Sequence, residues 1–302
     1  MQELDGRVAV VTGGASGIGF GLASTFAAEG MKVVIGDIEE PALGDAVAKL
    51  EAAGAEVLGV HTDVSDDASV AALAAAAVDR FGAIHVACNN AGVGSGGLTW
   101  EAPLSTWEWV LGVNLWGVIH GIRAFVPILM QQQEAHVVNT ASIAGLAAGP
   151  FMGPYNASKH AVVALSETLY HEMALTAPQV KVSVLCPGWV RTRIADAGRN
   201  RPGGEASVAA EAPALQMLQS VIENGMPPEE LAAIVLDAIR AEQFWILPHD
   251  DAEPFWRGFV NGRAQALIDR ADPTIRSPLR ARVAWRATPS SGPSNGATAA
   301  CG

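Results

Sequence analysis

The chain has 302 residues, half of them hydrophobic and 17% charged, enough for one large α/β domain with a substantial buried core. Its formal net charge of −12 argues against a nucleic-acid surface, which shows as a basic patch, and against adsorption to anionic membranes. No run reaches the ~18 apolar residues of a membrane span, and the acidic N-terminus MQELDGRVAVV lacks the basic region and cleavage site of a secretory signal. Cys88, Cys186 and Cys301 have neither paired spacing nor a metal-ligand pattern. Cys88 and Cys186, inside strand-like runs, read as small hydrophobes, so no metal is expected and a reducing cytoplasm is the expected compartment.

In chain order, Val8–Val11 reads as a strand and 17–29 as a helix, followed by a strand over 32–36 and a helix over 41–53. A strand over 56–60 precedes a helix over 68–81, and Ile84–Cys88 precedes a single helical region over 106–131. The strand 136–140, the helix 155–174 and the strand 180–185 complete the series. Short β-rich runs spaced by helices of this length indicate βαβ units, hence a doubly wound parallel sheet with helices on both faces. Past Pro187 the rhythm breaks, and 187–228, with its RNRPGG cluster, reads as a lid or binding segment. An amphipathic helix over 228–241, a last strand over 244–247 and a helix within 249–272 carrying Phe255, Phe259 and Leu267 follow. The single domain is expected to end near residue 272, with 273–302 a disordered tail.

The turn Thr12-Gly-Gly-Ala-Ser-Gly-Ile-Gly19 joins the first strand to the first helix. Gly13, Ala15, Ser16, Gly17, Ile18 and Gly19 are its candidate cofactor contacts, because glycines let the backbone approach a pyrophosphate at the positive end of a helix. Asp37 ends the second strand, where a carboxylate would accept from both hydroxyls of an adenosine ribose and repel a 2′-phosphate. No Arg or Lys stands at positions 15, 16, 38 or 39, so NAD is expected over NADP. Asp63 and Val64, after the third strand, are placed near the adenine.

The chain has only two tyrosines, and one of them stands in Tyr155-x-x-x-Lys159, which brings phenol and ammonium to one helical face. A free phenol has a pKa near ~10, and a neighbouring ammonium plus an oxidised nicotinamide favours its ionised form by about 4 kcal/mol. Tyr155 is then the acid–base at a substrate oxygen. Ser142, at the carboxyl end of a strand, is placed to bond that oxygen. Asn114, polar within an apolar helix, is either a satisfied core amide or the holder of a water that relays protons from Lys159.

Together TGGASGIG at 12–19, Asp37, Asp63-Val64, Asn89-Asn90-Ala91-Gly92, Asn114, Ser142, Tyr155-Asn-Ala-Ser-Lys159 and Pro187-Gly188 resemble the short-chain dehydrogenase/reductase family over roughly residues 4–250. The resemblance implies a seven-stranded sheet of order 3-2-1-4-5-6-7 and a catalytic tetrad of Asn114, Ser142, Tyr155 and Lys159. It lends Asn90, Ala91 and Gly92 to the sheet centre and cofactor site, puts Pro187, Gly188, Val190 and Thr192 beside the nicotinamide, and implies a homodimer or homotetramer. TGGASGIGFG with GVNLWGVIHG is also similar to bacterial members that oxidise the Cα alcohol of lignin-type aryl ethers.

Leu146, Phe151, Met152, Trp189, Ile194 and Met217, together with Ser142, are the expected substrate residues, and few charges accompany them. They favour a hydrophobic secondary alcohol or ketone as the small-molecule partner. Arg191 and Arg193 could contact the cofactor phosphates or a substrate carboxylate, but are expected rather to be solvated. Two other readings compete: a catalytically silent dinucleotide sensor or scaffold, and an NADPH-linked reductase of acyl-carrier thioesters. The intact Ser142, Tyr155 and Lys159 weigh against the first, and Asp37 against the second.

Overall fold

The computed structural model of the chain describes residues 1–204, 219–248 and 253–270. Met217, the middle of the expected lid and the expected tail over 273–302 lie outside the described residues. The strands are β1 Val8–Thr12, β2 Lys32–Asp37, β3 Val57–His61, β4 Val86–Asn89, β5 Ala135–Thr140, β6 Val180–Leu185 and β7 Trp245–Ile246. The helices are α1 Gly17–Ala28, α2 Glu40–Ala52, α3 Asp67–Phe81, α4 Leu104–Leu111, α5 Gly117–Leu129, α6 Gly153–Thr176, α7 Pro228–Arg240 and α8 Glu253–Asp269. The strands pair in parallel in the order β3-β2-β1-β4-β5-β6-β7.

β1 shows why this sequence makes a buried sheet. Its run VAVVT is buried throughout, as a parallel strand covered on both faces requires. Alternation sends Ala9 and Val11 to a core built with Leu22 and Phe26 of α1, Leu43 and Leu50 of α2, and Leu231, Val235 and Ile239 of α7. Val8 and Val10 point the other way, to Leu73 of α3, Phe125 and Leu129 of α5, and Leu169 and Met173 of α6. Each such side chain, fully removed from water, contributes roughly 1.5–3 kcal/mol. Strand order reverses between β1 and β4, so the two chain halves diverge there and leave a crevice at the carboxyl ends of the strands.

Helix ends carry their own signals. Asp66 caps α3 by accepting from the Ala68 N–H at 3.0 Å, and Gly82, at φ +83, terminates it. Glu229 and Glu230 open α7, and Arg240 closes it with an ion pair to Glu29 at 2.5 Å.

The helical region expected over 106–131 runs continuously over Leu104–Leu129, with a π-turn, Gly112–Trp116, between α4 and α5. The wider turn absorbs one extra residue and carries Asn114, whose side chain bonds outside the helix, and π-bulges are a common device for that. By length and composition Leu104–Leu129 is apolar enough to cross a membrane, but half of its most apolar window is buried in the fold.

Two helical glycines have opposite expected outcomes. A Cβ on Gly44 of α2 would meet nothing within 4 Å, so Gly44→Ala should raise stability by about 0.5–1 kcal/mol through lower chain entropy. In α1, a Cβ on Gly21 would stand 2.7 Å from the Pro228 carbonyl oxygen, so Gly21→Ala should lower stability by about 1–3 kcal/mol despite its better helix propensity. Denaturant unfolding of both variants reads the signs.

Candidate active site

The glycine turn is shaped by contacts that no side chain could share. Gly13 and Gly17 have φ of +64° and +52°, and a Cβ on Gly13 would lie 2.8 Å from the Ala91 Cα. One on Gly19 would overlap the Gly13 carbonyl oxygen. Ser16 precedes α1 in an extended conformation and makes no side-chain cap, so α1 presents its first amides at the crevice. Asp37 ends β2 beside this turn: Oδ2 accepts from the Ala15 N–H and Oδ1 from the Glu39 N–H, both at 3.0 Å. A carboxylate has about four acceptor positions, so capacity for two further hydroxyls remains.

Thr12 is a residue that motif reading passes over. Its hydroxyl accepts from the N–H groups of Asn90 (2.9 Å) and Ala91 (3.1 Å), and Asn90 Nδ2 donates back to the Thr12 carbonyl at 3.0 Å. Asp63 and Val64 are held by their own surroundings. Asp63 Oδ1 accepts from the Ser65 N–H (2.9 Å) and hydroxyl (2.7 Å), while Val64 is buried against the Gly117 backbone and its carbonyl meets His120 Nδ1 at 2.9 Å.

At the carboxyl ends of β5 and β6 the structure brings Ser142, Tyr155 and Lys159 together, all buried. Ser142 Oγ accepts from the Ala144 N–H at 3.1 Å and donates to the Pro187 carbonyl at 3.4 Å, near enough to Tyr155 to lower the pKa of its phenol. Lys159 Nζ lies 5.7 Å from the Tyr155 ring centroid and donates to the Thr140 carbonyl at 2.9 Å. The expectation that Lys159 lowers the Tyr155 pKa is not met by the chain's own groups. Burial pushes the phenol up, the Ser142 bond only partly offsets it, and the same burial brings Lys159 down to about 8.

Asn114 is a satisfied amide: Oδ1 accepts from the Val93 N–H at 2.8 Å, and Nδ2 donates to the Val93 carbonyl (3.0 Å) and Ser158 Oγ (3.2 Å). It also borders the site, because the Cβ position above Gly92 lies 3.5 Å from its Oδ1 and 3.6 Å from Lys159 Nζ.

The segments expected to wall the substrate meet one another. The Phe151 carbonyl accepts from the Gly97 N–H at 2.9 Å, and Met152 bridges Gly97, joining the loop after β4 to the loop before α6. The Leu146 carbonyl accepts from Arg263 Nη1 of α8 at 3.1 Å. The Trp189 carbonyl accepts from the Met226 N–H at 2.9 Å, Val190 bridges Met226, and Ile194 lies over Gly94. The Pro187 carbonyl accepts from the Ile143 N–H at 3.0 Å, and Thr192 packs on Gly17. Arg193, expected to be solvated, is half-exposed but paired with Asp196 (3.3 Å) and Glu39 (3.8 Å).

The short chain dehydrogenase family matches residues 7–202. A crystal structure of a short chain dehydrogenase/reductase from Burkholderia phymatum in complex with NAD is 46% identical and superposes with a TM-score of 0.87, covering 91% of this chain and 98% of that one. A 1-deoxy-11-beta-hydroxypentalenate dehydrogenase of Streptomyces arenae is 39% identical over 82% of this chain and 83% of its own. A C alpha-dehydrogenase of a Sphingobium species is 32% identical over 93% of this chain and 92% of its own.

Lys159 yields a pH prediction. Its pKa falls from 10.5 when exposed to about 8 when buried, so between these values the unfolded chain binds the extra proton and stability rises with pH. Below about pH 8 the buried ammonium costs the fold its full penalty, about 3 kcal/mol. The stability of the wild type relative to Lys159→Met should therefore improve between pH 7.5 and pH 10, read by denaturant unfolding at several values. A constant difference would remove the buried charge from the account.

Proposed function

The chain belongs to the short chain dehydrogenase family of oxidoreductases acting on CH–OH groups, and we propose that it moves hydride between NAD and a hydrophobic secondary alcohol or its ketone, with Tyr155 as the acid–base. The observation that carries this reading is the buried contact of Ser142, Tyr155 and Lys159 at the carboxyl edge of the sheet, beside the switch point between β1 and β4. A proton donor held there has little use in a protein that only binds a dinucleotide.

The residues fit a dinucleotide. The glycine turn has no Cβ where the backbone must come close, α1 has uncapped amides, and Asp37 has acceptor capacity beside the turn. The NAD-bound relative supports the same cofactor type here. Gly13 to Gly19 would hold the pyrophosphate, Asp37 the adenosine ribose, and Asn90 to Gly92 with Pro187, Gly188, Val190 and Thr192 the nicotinamide end. A bound NAD would supply the hydride acceptor for the carbinol carbon, or the hydride donor when reduced, and in its oxidised form would add positive charge beside the phenol. Tyr155 takes the alcohol proton in oxidation and gives it back in reduction. Ser142 fixes the substrate oxygen at that phenol, and Lys159, one helical turn along α6 from Tyr155, reaches toward the nicotinamide ribose. Asn114 holds the loop of Val93 in place and borders the route by which Lys159 exchanges protons.

The substrate side is apolar. Phe151 and Trp189 are 38% and 39% exposed, Phe151 four residues before Tyr155 and Trp189 two after Pro187, whose carbonyl accepts from the Ile143 N–H next to Ser142. Phe151 also holds a left-handed φ of 66°, a conformation that costs a non-glycine residue about 1–2 kcal/mol and that marks functional loops. An aromatic or cyclic carbinol would cover these rings.

Tyr155→Phe should lower kcat by a factor of about 10² or more while NADH affinity, measured by cofactor fluorescence, stays within a few-fold. Near-normal turnover would end the assignment. Phe151→Ala should raise KM for aryl ketones by about 2- to 10-fold and leave small aliphatic ketones little changed. An equal effect on both series would place the ring outside the substrate's reach.

A further inference from the structure

Cationic groups reach the Asp37 end of the crevice from more than 150 residues away in the chain. After β6 the segment Ile194–Asn200 crosses the carboxyl edge of the sheet, with Ala197 buried against Val93 and Val110. At its end Arg199 grips Glu39, two residues past Asp37. Its Nε donates to both carboxylate oxygens, at 3.1 and 3.2 Å, and its Nη2 donates to Oε1 at 2.5 Å. Asn200 Nδ2 adds a bond to Oε1 at 3.0 Å, and Arg193 stands 3.8 Å from Oε2. The guanidinium is fixed from behind, since its Nη1 donates to the carbonyls of Arg193 (3.2 Å) and Asp196 (2.7 Å). The Glu39 and Arg199 side chains are 21% and 23% exposed, so water screens the pair only partly. The Arg199 guanidinium holds the Glu39 carboxyl below the ordinary range.

A guanidinium fork closed on two oxygens of one anion is also the geometry with which arginine binds phosphate. Asp37 and the Glu39 N–H share a hydrogen bond, so this fork stands next to the carboxylate assigned to the ribose. We propose that Glu39 determines cofactor choice by occupying Arg199, the guanidinium that would otherwise receive a ribose 2′-phosphate, while Arg193, closer to Asp196 (3.3 Å) than to Glu39 (3.8 Å), adds a second positive charge nearby. NAD preference then has two parts: Asp37 repels the phosphate, and Glu39 removes the guanidinium that would bind it. This rests on the reading that a dinucleotide binds with its ribose at Asp37. The local sequence around Asp37 shows no basic partner because the partner comes from the far side of the fold.

The test is a set of Kd ratios, NADH against NADPH, measured by fluorescence of the reduced nicotinamide. A ratio cancels any loosening of the crossing segment, which affects both cofactors alike. Asp37→Ser alone should improve NADPH binding only a few-fold, because the cations remain occupied. Asp37→Ser/Glu39→Ser should shift the ratio toward NADPH by a further 10- to 100-fold, roughly the range of a charge-assisted hydrogen bond. That gain should shrink with added salt. Adding Arg199→Ala to the double variant should abolish most of it, while Arg199→Ala in the wild type should move the ratio further toward NADH by leaving Glu39 uncompensated. Glu39→Gln, nearly isosteric, should give part of the shift should the serine variant fold poorly. NADH binding with no movement of the ratio, or a gain that survives removal of both Arg193 and Arg199, overturns the inference and leaves the dehydrogenase reading intact. Failure of the wild type to bind either dinucleotide overturns both.

Discussion

The hydroxyl of Thr12, at the end of β1, fastens the site together. It accepts from the N–H groups of Asn90 and Ala91, and Asn90 in turn reaches the Thr12 carbonyl at 3.0 Å and meets Thr140 at 3.4 Å. Backbone amides leaving a parallel sheet at the switch point have no ladder partner, and burying them unpaired would cost about 1–3 kcal/mol each. One hydroxyl and one amide side chain satisfy them and tie the ends of β1, β4 and β5 into one body. The glycine turn leaves from β1, Gly92 and Val93 from β4, and the Thr140 carbonyl that holds Lys159 from β5. The separation of the cofactor turn from the phenol is thereby set by short polar bonds rather than by loops.

A second polar chain runs beneath. Asn89 Nδ2 donates to Asn139 Oδ1 at 2.9 Å, and Asn139 Nδ2 donates to Ser166 Oγ at 3.0 Å, linking β4, β5 and α6 inside the core. Asn89 Oδ1 is left without a partner at its start, and the two directional bonds onward to Ser166 position the helix that carries Tyr155 and Lys159 more sharply than apolar packing alone. The same burial explains the electrostatics. An environment dry enough to align Ser142 with Tyr155 penalises both phenolate and ammonium, so the phenol rises and the amine falls.

Much of this was legible beforehand. Strands and helices announce themselves where the period is unambiguous, as in VAVVT or in α7 with its prolines, acidic first turn and basic last turn. All seven strands fall within about two residues of their expected positions, and β7 is only two residues long because Trp245 and Ile246 alone pair with β6. The π-turn at Asn114 was not legible, since an extra residue in a helix leaves the apolar pattern almost unchanged over one turn. Arg193 and Arg199 were equally hidden, because a charge partner 160 residues away leaves no local trace.

The amino-acid sequence by itself determined the fold class, the glycine turn, the Asp37 position and the Tyr155–Lys159 pair. Each is a matter of spacing along one strand or one helix, and backbone geometry turns that spacing directly into position. Tertiary structure alone decided that Asn114 spends its amide on Val93 and Ser158, that Glu39 holds Arg199, and that the Tyr155 phenol is raised rather than lowered. Those outcomes depend on which distant segments meet and how much water their meeting excludes, and both quantities come into being only when the sheet closes over its helices.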